Sequence, residues 1–455
     1  MNVSKKPTIT IVGAGLAGTF LAIILAKRGY KVDIFERYSE NETLDRSSKR
    51  SFVITFYGYG VEALKQAGIW EEVRPILLPL KGSATQITPK SEYTISRFEF
   101  SDMTYYSVSR SQMLATLITI AKRDPNIAFK FQQAPIMIDR YKRTMTIQNS
   151  KTNKAKTIKC NVIIGADGVN SFVRSCIQMG QPTDHSQTYE DWTYRQIIFT
   201  PQMCEKLGME PKMTYAWTRK HAAIVGFPQA NGQFGALLML PRNKEHGFST
   251  IKTAEDVKKL VEAQFPRLLP ALDIIISNVL NNPDGHFATI RTNPWHYRDF
   301  MTIVGDAAHG FTPFYGMGTA TAFGDCLELV RLLDENGADW AKIFPLYQEA
   351  RKKNTDIIGE LSHQAMKWFT RSTRADYGAI YEKVGTTLHT VFPKWYLPSM
   401  FYLVSHEPNR SAEYLIRHKK QDRLSKWMGL PLAAAGITAA VKVAEDISAL
   451  IQPTK

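Results

Sequence analysis

The first apolar segments of the chain predict a strand, a helix and a second strand. Residues 9–12 are continuously apolar or β-branched, which is typical of a buried strand. An Ala-, Leu- and Ile-rich stretch follows, and Gly29 is placed to end the helix that this stretch predicts. Residues 31–35 predict the second strand. This order indicates an α/β fold with a parallel sheet.

The pattern continues with further strands and helices up to residue 180. Residues 38–49 are polar and predict a loop. Ser109 or Ser111 is placed to cap the helix at 112–122, and Asn170 or Ser171 to start a later one. Strands or hairpins are predicted at 50–54, 82–100, 105–110 and 144–159 and directly before Asp167, and helices at 60–68, 112–122 and around Arg174.

Residues 188–242 predict an inserted β-rich region with one aromatic face. Asn231-Gly232 is a strong turn signal and predicts a hairpin between 222–228 and 234–240. The remaining predictions are helices at 254–264 and 268–280, a strand at 300–304, a long helix after residue 318 and a mostly helical region at 340–418.

Gly13, Gly15 and Gly18 have the spacing G-x-G-x-x-G between the first strand and its helix, which predicts a dinucleotide site. The first glycine makes a tight turn, the second lets the backbone approach a pyrophosphate, and the third lets helix and strand pack closely. The helix N-terminus offers N–H groups to phosphates. Glu36 ends the second strand, where it can bind both hydroxyls of a ribose. The alternative is a glycine-rich turn with an ordinary surface glutamate.

Two later carboxylates also follow apolar strands. Asp167 stands beside a glycine and precedes Arg174, a combination that suits a diphosphate, although a simple turn would have the same sequence. Asp306 ends the strand at 300–304 and precedes a proline- and glycine-rich loop. The long helix after this loop again presents its N-terminus to an electron-rich or anionic group.

Composition and charge exclude several classes of protein. The net charge of +15 is compatible with an anionic partner or with a basic solvated surface. The basic residues are scattered, so we predict no nucleic-acid partner. The four cysteines form no C-x-x-C motif, so neither a disulfide scaffold nor a metal site is expected, and a reducing, cytoplasmic compartment fits.

The tail at 417–455 joins a basic stretch to an apolar one that is too short to span a bilayer. It could lie on a membrane surface, which would make the protein peripherally membrane-associated. The favoured alternative is a helix that caps the body of the protein.

Three motifs in order resemble the class A flavoprotein monooxygenases, which are flavin-dependent aromatic hydroxylases. The motifs are GAGLAG with Glu36-Arg37, then IIGADGVNSFVR, then VGDAAHGFTPFYGMG. Within this class the chain is most similar to the kynurenine 3-monooxygenases, on segments such as RSFVITFYGYGVEALKQAG and FATIRTNPWHY. The segment FPKWYLPSMFYLVSHEPNR looks more like the flavin hydroxylase of the violacein pathway.

The resemblance implies a Rossmann-like FAD-binding domain with an inserted β-sheet substrate domain and a C-terminal helical region. The expected segments are 1–180 and 286–345 for FAD, with an inserted sheet segment near 80–105, 181–285 for the substrate domain, and 346–455 for the helical region. The implied FAD contacts are Gly13, Gly15, Leu16, Ala17, Gly18, Glu36, Arg37, Arg50, Arg110, Asp167, Asp306, Pro313, Gly316, Met317, Gly318 and Thr319.

The resemblance also implies the chemistry. In this class NAD(P)H reduces the flavin, and O₂ then forms a flavin C4a-hydroperoxide that hydroxylates an electron-rich aromatic ring. No nucleophilic side chain is needed, so we name no catalytic residue and interpret His309 as structural. The candidates to line the substrate pocket, for which core packing is the alternative, are Tyr194, Trp217, Phe227, Phe314 and Tyr315.

The sequence departs from the kynurenine pattern where those enzymes hold the substrate carboxylate. Ser83 stands at the position of their arginine, and Lys367 and Met400 replace an asparagine and a tyrosine. Lys81, Arg97 or Lys367 could serve an anion from other positions. In the helix after the flavin loop, Gly324-Asp325 replaces a Glu-Asp pair. These departures argue against L-kynurenine. By analogy with the violacein-pathway hydroxylase, the resemblance implies an indole- or tryptophan-derived substrate. The alternatives are kynurenine held by a rebuilt carboxylate site, and a flavin-binding protein without hydroxylase turnover.

Overall fold

The structure is a computed structural model that describes residues 6–50, 53–98, 104–242, 245–370, 389 and 396–427. The chain forms two compact units, residues 1–373 and 374–455. The strands are β1 (Ile9–Val12), β2 (Val32–Phe35), β3 (Val53–Phe56), β4 (Leu78–Pro79), β5 (Gly82–Gln86), β6 (Thr94–Arg97), β7 (Tyr106–Ser109), β8 (Ile127–Lys130), β9 (Gln133–Asp139), β10 (Thr144–Asn149), β11 (Ala155–Lys159), β12 (Val162–Gly165), β13 (Asp184–Phe199), β14 (Met213–Thr218), β15 (Ala223–Pro228), β16 (Phe234–Pro241), β17 (Gly285–Asn293), β18 (His296–Tyr297) and β19 (Met301–Ile303).

The helices of the first unit lie mostly between the strands along the chain. They are α1 (Leu16–Ala26), α2 (Glu40–Arg50), α3 (Tyr59–Gln66), α4 (Trp70–Val73), α5 (Arg110–Lys122), α6 (Phe172–Gln178), α7 (Pro201–Lys206), α8 (Ala254–Gln264), α9 (Leu272–Asn281), α10 (Asp306–His309), α11 (Gly318–Asn336) and α12 (Trp340–Thr370). Short 3-10 segments lie at Arg74–Ile76, Phe248–Thr250, Pro266–Ala271 and Pro313–Tyr315.

The first sheet has the strand order β18-β19-β12-β1-β2-β8, and its pairs are parallel except for β18 with β19. Every residue of β1 is buried, which explains its continuous apolar sequence. Phe20 of α1 stacks on Phe323 of α11, with ring centroids 4.0 Å apart, so the two helices share one core. The Rossmann-like α/β fold predicted from the sequence is therefore confirmed.

A second sheet has seven strands in the order β17-β13-β16-β15-β14-β5-β6. Its pairs are antiparallel except that β5 runs parallel to β14. The predicted hairpin is present as β15 and β16, with Gly232 at φ 80° in the turn. Side chains of α8, α9 and Pro266–Ala271 pack on one face of this sheet and form a core of their own. The other face carries a smaller cluster of its own. It is called the free face below because the core formed with α8 and α9 does not include it.

Two small sheets complete the first unit. β9, β10 and β11 form an antiparallel sheet, which includes the predicted hairpin at 144–159. β3, β7 and β4 form the other small sheet. The Ser107 hydroxyl on β7 donates a hydrogen bond to the Pro228 carbonyl, 2.6 Å away, and thereby attaches this sheet to the end of β15.

The prediction of a loop at 38–49 was wrong, because α2 occupies residues 40–50. Ser39 and Glu42 form a reciprocal cap: the Glu42 N–H donates to the Ser39 hydroxyl, and the Ser39 N–H donates to the Glu42 carboxylate. The predicted strand at 50–54 is present over Val53–Phe56, and residues 51 and 52 lie outside the described residues. Ser109 stands at the N-cap position of α5, but its side chain makes no capping hydrogen bond there.

The described part of the second unit contains α13 (Met400–His406), a 3-10 turn at Pro408–Arg410 and α14 (Ser411–Trp427). The apolar stretch of the predicted tail lies outside the described residues. No helix in the described ranges is both long and apolar enough to cross a membrane. The cytoplasmic location, the membrane contact of the tail and the segment bounds at 180, 285 and 345 stay predictions.

Candidate cofactor and substrate site

The three motif glycines lie in the turn between β1 and α1, and each meets a different environment. A Cβ atom on Gly13 would lie 2.5 Å from the Ala166 carbonyl oxygen, and Gly13 has φ 104°. A Cβ atom on Gly18 would lie 2.0 Å from the Gly13 carbonyl oxygen. A Cβ atom on Gly15 would meet no atom within 4 Å. Packing therefore requires the outer glycines, whereas the space beside Gly15 is open for a ligand.

The N-terminus of α1 provides hydrogen-bond donors at this open space. Gly15 is the N-cap residue, no side chain caps the helix, and its first turn contains no acidic residue. The first N–H group to donate within the helix is that of Thr19, which bonds the Gly15 carbonyl at 2.9 Å. The N–H groups of Leu16, Ala17 and Gly18 come before it and have no acceptor within the helix. Such a terminus favours a phosphate.

Glu36 is held at the end of β2 by backbone donors from two segments. Its Oε2 accepts the Ala14 N–H at 3.0 Å, and its Oε1 accepts the Tyr38 N–H at 3.1 Å. A carboxylate has about four acceptor positions, so two remain for the hydroxyls of a ribose. Glu36, which is predicted to bind the ribose, therefore also holds the glycine turn in place.

The three predicted arginines lie on separate elements. Arg37 follows β2, is exposed and places its guanidinium 4.9 Å from the Tyr38 ring centroid. Arg50 is the last residue of α2, and Arg110 is the first residue of α5. Their contacts with FAD stay predictions.

Asp167 follows β12 and organises the start of α6. Its carboxylate accepts the Ser171 hydroxyl at 2.5 Å and the N–H groups of Phe172 and Val173 at 2.7 and 3.2 Å. Burial raises the pKa of Asp167, although these hydrogen bonds act in the opposite direction. The Arg174 guanidinium donates to the Ala307 carbonyl at 2.9 Å and so joins this loop to α10.

Gly305 and Asp306 lie where α1, α10 and α11 meet. A Cβ atom on Gly305 would lie 3.3 Å from the Ala17 Cβ and 3.2 Å from the Ala322 Cβ, and Gly305 has φ 61°. Within the described ranges the half-buried Asp306 carboxylate has no hydrogen-bonding or ion-pairing partner. It is therefore available to the hydroxyls of a ligand that runs from the α1 terminus towards α11.

The loop at 313–319 is held from β3 and the residue that follows it. The Tyr57 hydroxyl donates to the Tyr315 carbonyl at 2.5 Å, and the Thr55 hydroxyl donates to the Gly316 carbonyl at 3.4 Å. Gly316 has φ 64°, and a Cβ atom there would lie 2.5 Å from the Thr55 hydroxyl oxygen. A Cβ atom on Gly318 would meet no atom within 4 Å. The start of α11 thus leaves room for a flat ring beside Gly318. The FAD contacts of Pro313, Gly316, Met317, Gly318 and Thr319 stay predictions.

A buried ionic cluster of Asp325, His309 and Arg351 joins α11, α10 and α12 next to this loop. The Asp325 carboxylate binds the His309 Nε2 at 2.5 Å, the Arg351 Nε at 2.7 Å and the Gly305 N–H at 2.9 Å. Burial would raise the pKa of Asp325, but the charges and hydrogen bonds of His309 and Arg351 outweigh it and hold that pKa below its usual value. His309 is only 3% exposed, in keeping with a structural role.

The replacement of Glu by Gly324 also has a packing reason. A Cβ atom on Gly324 would lie 2.7 Å from the Tyr59 ring and 3.1 Å from a guanidinium nitrogen of Arg351. Tyr59 therefore occupies the space that a longer side chain at residue 324 would need. A side chain at residue 324 would have to displace the Tyr59 ring or Arg351.

The free face of the seven-stranded sheet carries an aromatic cluster next to the loop. The Tyr194 and Phe287 ring centroids are 4.7 Å apart, and those of Phe287 and Phe314 are 5.3 Å apart. Phe227 lies on the same face as Ala223, because the two are four residues apart on β15. The cluster consists of Trp192, Tyr194, Ala223, Val225, Leu237, Met239, Phe287, Phe314 and Met366.

The structure does not bring all the predicted substrate residues to this face. Trp217 is fully buried on the opposite face, where its Nε1 donates to the Tyr93 hydroxyl at 3.0 Å. Arg97 also lies on that side, near the Met213 sulfur, and pairs with Glu210 at 3.0 Å. The alternation of side chains along a strand decides the face for both Trp217 and Arg97. The prediction that Trp217 lines the substrate pocket was therefore wrong, and its alternative, core packing, is what the structure shows. Tyr315 is buried within the loop, and its carbonyl holds Tyr57.

The sequence prediction missed several residues at the site. Thr55 and Tyr57 hold the loop at 313–319. No local sequence signal identifies them, because the residues they contact are 258 or more positions away in the chain. Leu237 and Met239 could have been found, since they alternate with the core residues of β16.

The site as a whole fits FAD: an open glycine turn on a helix N-terminus, a braced carboxylate at the next strand end, an unpartnered carboxylate, and a loop with room for a ring. These features define a flavoprotein of the Rossmann-like class. A family model described as FAD binding domain matches residues 6–353, and the chain therefore belongs to this family. It is a class A flavin-dependent aromatic hydroxylase and thus an FAD-dependent monooxygenase.

Its relatives agree with this assignment. The kynurenine 3-monooxygenase of Salinispora tropica is 27% identical over 442 residues, which cover 96% of each chain. That of Christiangramia forsetii is 30% identical over 369 residues, which cover 81% of this chain and 82% of the relative.

Solved structures show the same fold. The tetrameric form of 2-methyl-3-hydroxypyridine-5-carboxylic acid oxygenase has a TM-score of 0.68 at 20% identity, covering 90% of this chain and 98% of that one. A Klebsiella pneumoniae HpxO variant complexed with FAD has a TM-score of 0.66 at 16% identity, covering 83% and 94%.

Proposed function

We propose that the protein uses NAD(P)H and O₂ to hydroxylate a small aromatic substrate that is indole- or tryptophan-derived. The observation that carries the proposal is the aromatic cluster of Tyr194, Phe287 and Phe314 beside the loop at 313–319. Aromatic side chains stack favourably with a flat substrate ring. An electron-rich ring held there would lie against the flavin.

Polar groups on the same face favour this substrate class over kynurenine. Thr85 pairs with Ala216, which pairs with Val225 of the cluster, so Thr85 lies on the free face. Ser83 precedes Thr85 by two residues on β5 and shares that face. A hydroxyl therefore stands where the resembled enzymes carry an arginine, and a substrate carboxylate would lack its bidentate partner.

The side chains divide the work between cofactor and substrate. FAD, when bound, supplies the redox chemistry and the activation of O₂. The α1 terminus, Glu36 and Asp306 bind the cofactor, and the hydrogen bond from Tyr57 fixes the loop beside its ring. The apolar cluster orients the substrate and excludes water from the reacting edge.

The test is oxidation of NADPH and NADH under air by the purified FAD-loaded protein, with indoles, anthranilates and kynurenine offered in turn. We expect one of the indoles to accelerate NAD(P)H consumption and to yield a product heavier by one oxygen. A yellow protein that no aromatic compound stimulates would contradict hydroxylase turnover. It would favour the alternative of a flavin-binding protein without turnover.

Kynurenine 3-hydroxylation is the second candidate, because relatives that cover nearly the whole chain carry that name. It requires another cation for the carboxylate, and Lys367 on α12 is exposed and next to Met366 of the cluster. Acceleration by kynurenine, with loss of this acceleration in Lys367→Met, would favour this candidate over the first.

A further inference from the structure

Gln196 is a buried polar side chain that the fold does not use. It lies on β13 and is 9% exposed. Within the described residues its amide makes no hydrogen bond, although its backbone carbonyl accepts one from Asn282 at 2.8 Å. The amide nitrogen and oxygen themselves are not fully enclosed. They reach open space on the site face, where a ligand or a water molecule can bond them.

The register of the sheet puts Gln196 on the free face. Gln196 pairs with Leu237, and Leu237 pairs with Val225, so the three side chains lie side by side. Leu237 and Val225 belong to the cluster that packs on Phe314. Tyr194 precedes Gln196 by two residues and faces the same way. Gln196 is therefore the polar group within an apolar surface.

The charged residue next to Gln196 on its own strand points away from this face. Arg195, the preceding residue, binds Asp284 at 2.6 Å and lies 4.5 Å from the Phe248 ring, on the opposite face. From Tyr194 on β13 across to β6, the described strand residues of the free face carry hydroxyls and this amide but no charged side chain. The Glu190 carboxylate, further along β13, is already paired with His363 of α12 at 2.8 Å. A substrate bound there meets a neutral hydrogen-bonding partner.

We infer that Gln196 anchors the substrate by hydrogen bonds to a neutral N–H or C=O group on its aromatic ring. Gln196 is then a specificity-determining residue for uncharged substrates of the indole or lactam type. An amide can donate and accept at once, which matches such an edge, whereas an anionic substrate would lose its water without gaining a counter-charge. This inference rests on the proposed function and names the substrate class of its site.

The test compares the binding of indole, 1-methylindole and indole-3-carboxylate to the FAD-loaded protein by calorimetry. Gln196→Leu removes the anchor, and Gln187→Leu is a matched control on the same strand, where Gln187 bonds the Tyr189 hydroxyl instead. In the wild type and the control, we expect indole to bind about tenfold more tightly than 1-methylindole, the worth of one buried hydrogen bond. In Gln196→Leu the two should bind equally.

The comparison of both ligands in both proteins cancels the steric effect of the methyl group. Equal affinity of indole for the wild type and for Gln196→Leu would overturn the inference. Tighter binding of indole-3-carboxylate than of indole to the wild type would also overturn it. So would a wild type that binds none of the three ligands. Because the readout is binding, it can fail while another aromatic compound still drives NAD(P)H oxidation, and that oxidation tests the proposed function separately.

Discussion

Gly15 and Gly18 belong to one motif but are needed for different reasons. Gly15→Val should fold, because a Cβ atom there meets nothing within 4 Å, yet the added methyl groups occupy the pyrophosphate space. We expect this variant to purify without FAD and with a far-ultraviolet spectrum like that of the wild type. The ratio of flavin to protein absorbance after gel filtration measures the effect.

Gly18→Val is the matched comparison for this variant. Its Cβ would lie 2.0 Å from the Gly13 carbonyl oxygen, so it should lower stability or prevent folding. A Gly15→Val protein that stays yellow and stoichiometric in FAD would contradict the placement of the cofactor.

Glu36 accepts hydrogen bonds from the glycine turn and is predicted to bind the adenosine ribose, so its replacement should affect two measurements. Glu36→Ala leaves the N–H groups of Ala14 and Tyr38 without their acceptor, which should cost about 1–3 kcal/mol of stability. It also removes the ribose ligand and should weaken FAD binding by roughly tenfold or more. FAD titration and thermal unfolding measure the two effects.

Glu71→Ala is the control for Glu36, because the Glu71 side chain is 79% exposed and its ion pair with Arg74 is long, at 3.9 Å. It should change neither measurement. If Glu36→Ala bound FAD as tightly as the wild type, the ribose contact would be wrong.

Local spacing and long-range register differ in how well the sequence predicts them. The glycine turn and Glu36 were predictable because the strand, turn, helix and acid lie within about 30 residues in the typical order of a βαβ unit. Trp217 has suitable chemistry, but its face depends on how β14 pairs with its neighbours. Residue type alone could not place it.

At the scale of elements, Asp325 joins α11 to α10 and α12 through a fully buried cluster. Asp325→Asn removes one partner of a buried ion pair with Arg351, which should cost about 3–5 kcal/mol of unfolding free energy. Chemical denaturation of the FAD-loaded protein measures it. Glu335→Gln, on the same helix but in an exposed pair with Arg331, should cost less than about 1 kcal/mol. Equal costs would contradict the role of the cluster.

The same cluster predicts a pH dependence. The folded pKa of Asp325 lies below its ordinary value of about 3.9, so its stabilisation is complete above that value and is lost as the pH falls through the folded pKa. The stability difference between the wild type and Asp325→Asn should therefore be constant from about pH 7 to pH 5 and shrink below about pH 4. A difference that grew on acidification would have the wrong sign.

The helix that the sequence prediction missed shows a limit of hydrophobic periodicity. α2 contains one aliphatic residue, Leu44, so its sequence offers no set of apolar positions at helical spacing. The Ser39-x-x-Glu42 capping signature was present and would have predicted its start. Buried strands such as β1 were easy by comparison, because their apolar runs are short and bounded by glycine.

For the whole molecule, the main feature beyond the reach of the sequence is how the second sheet is assembled. β5 and β6 come from residues 82–97, yet they extend the sheet of residues 184–293 through the parallel pairing of β5 with β14. Alternation predicts each strand but not its partner a hundred residues away. This pairing places Ser83 on the same face as the aromatic cluster, so its predicted place in the substrate site depends on topology.

The C-terminal tail provides a test at the same scale. Every predicted FAD contact lies before residue 320, the family match ends at residue 353, and the first compact unit ends at residue 373. Deleting residues 424–455 should therefore leave FAD content and thermal stability of the first unit unchanged. Co-sedimentation with anionic vesicles separates the two interpretations of the tail. If the tail is a membrane-surface helix, the vesicles should bind the full-length protein and not the truncated one. If the tail is a capping helix, the vesicles should bind neither protein. A truncated protein that aggregates or loses FAD would show that the tail is part of the folded core.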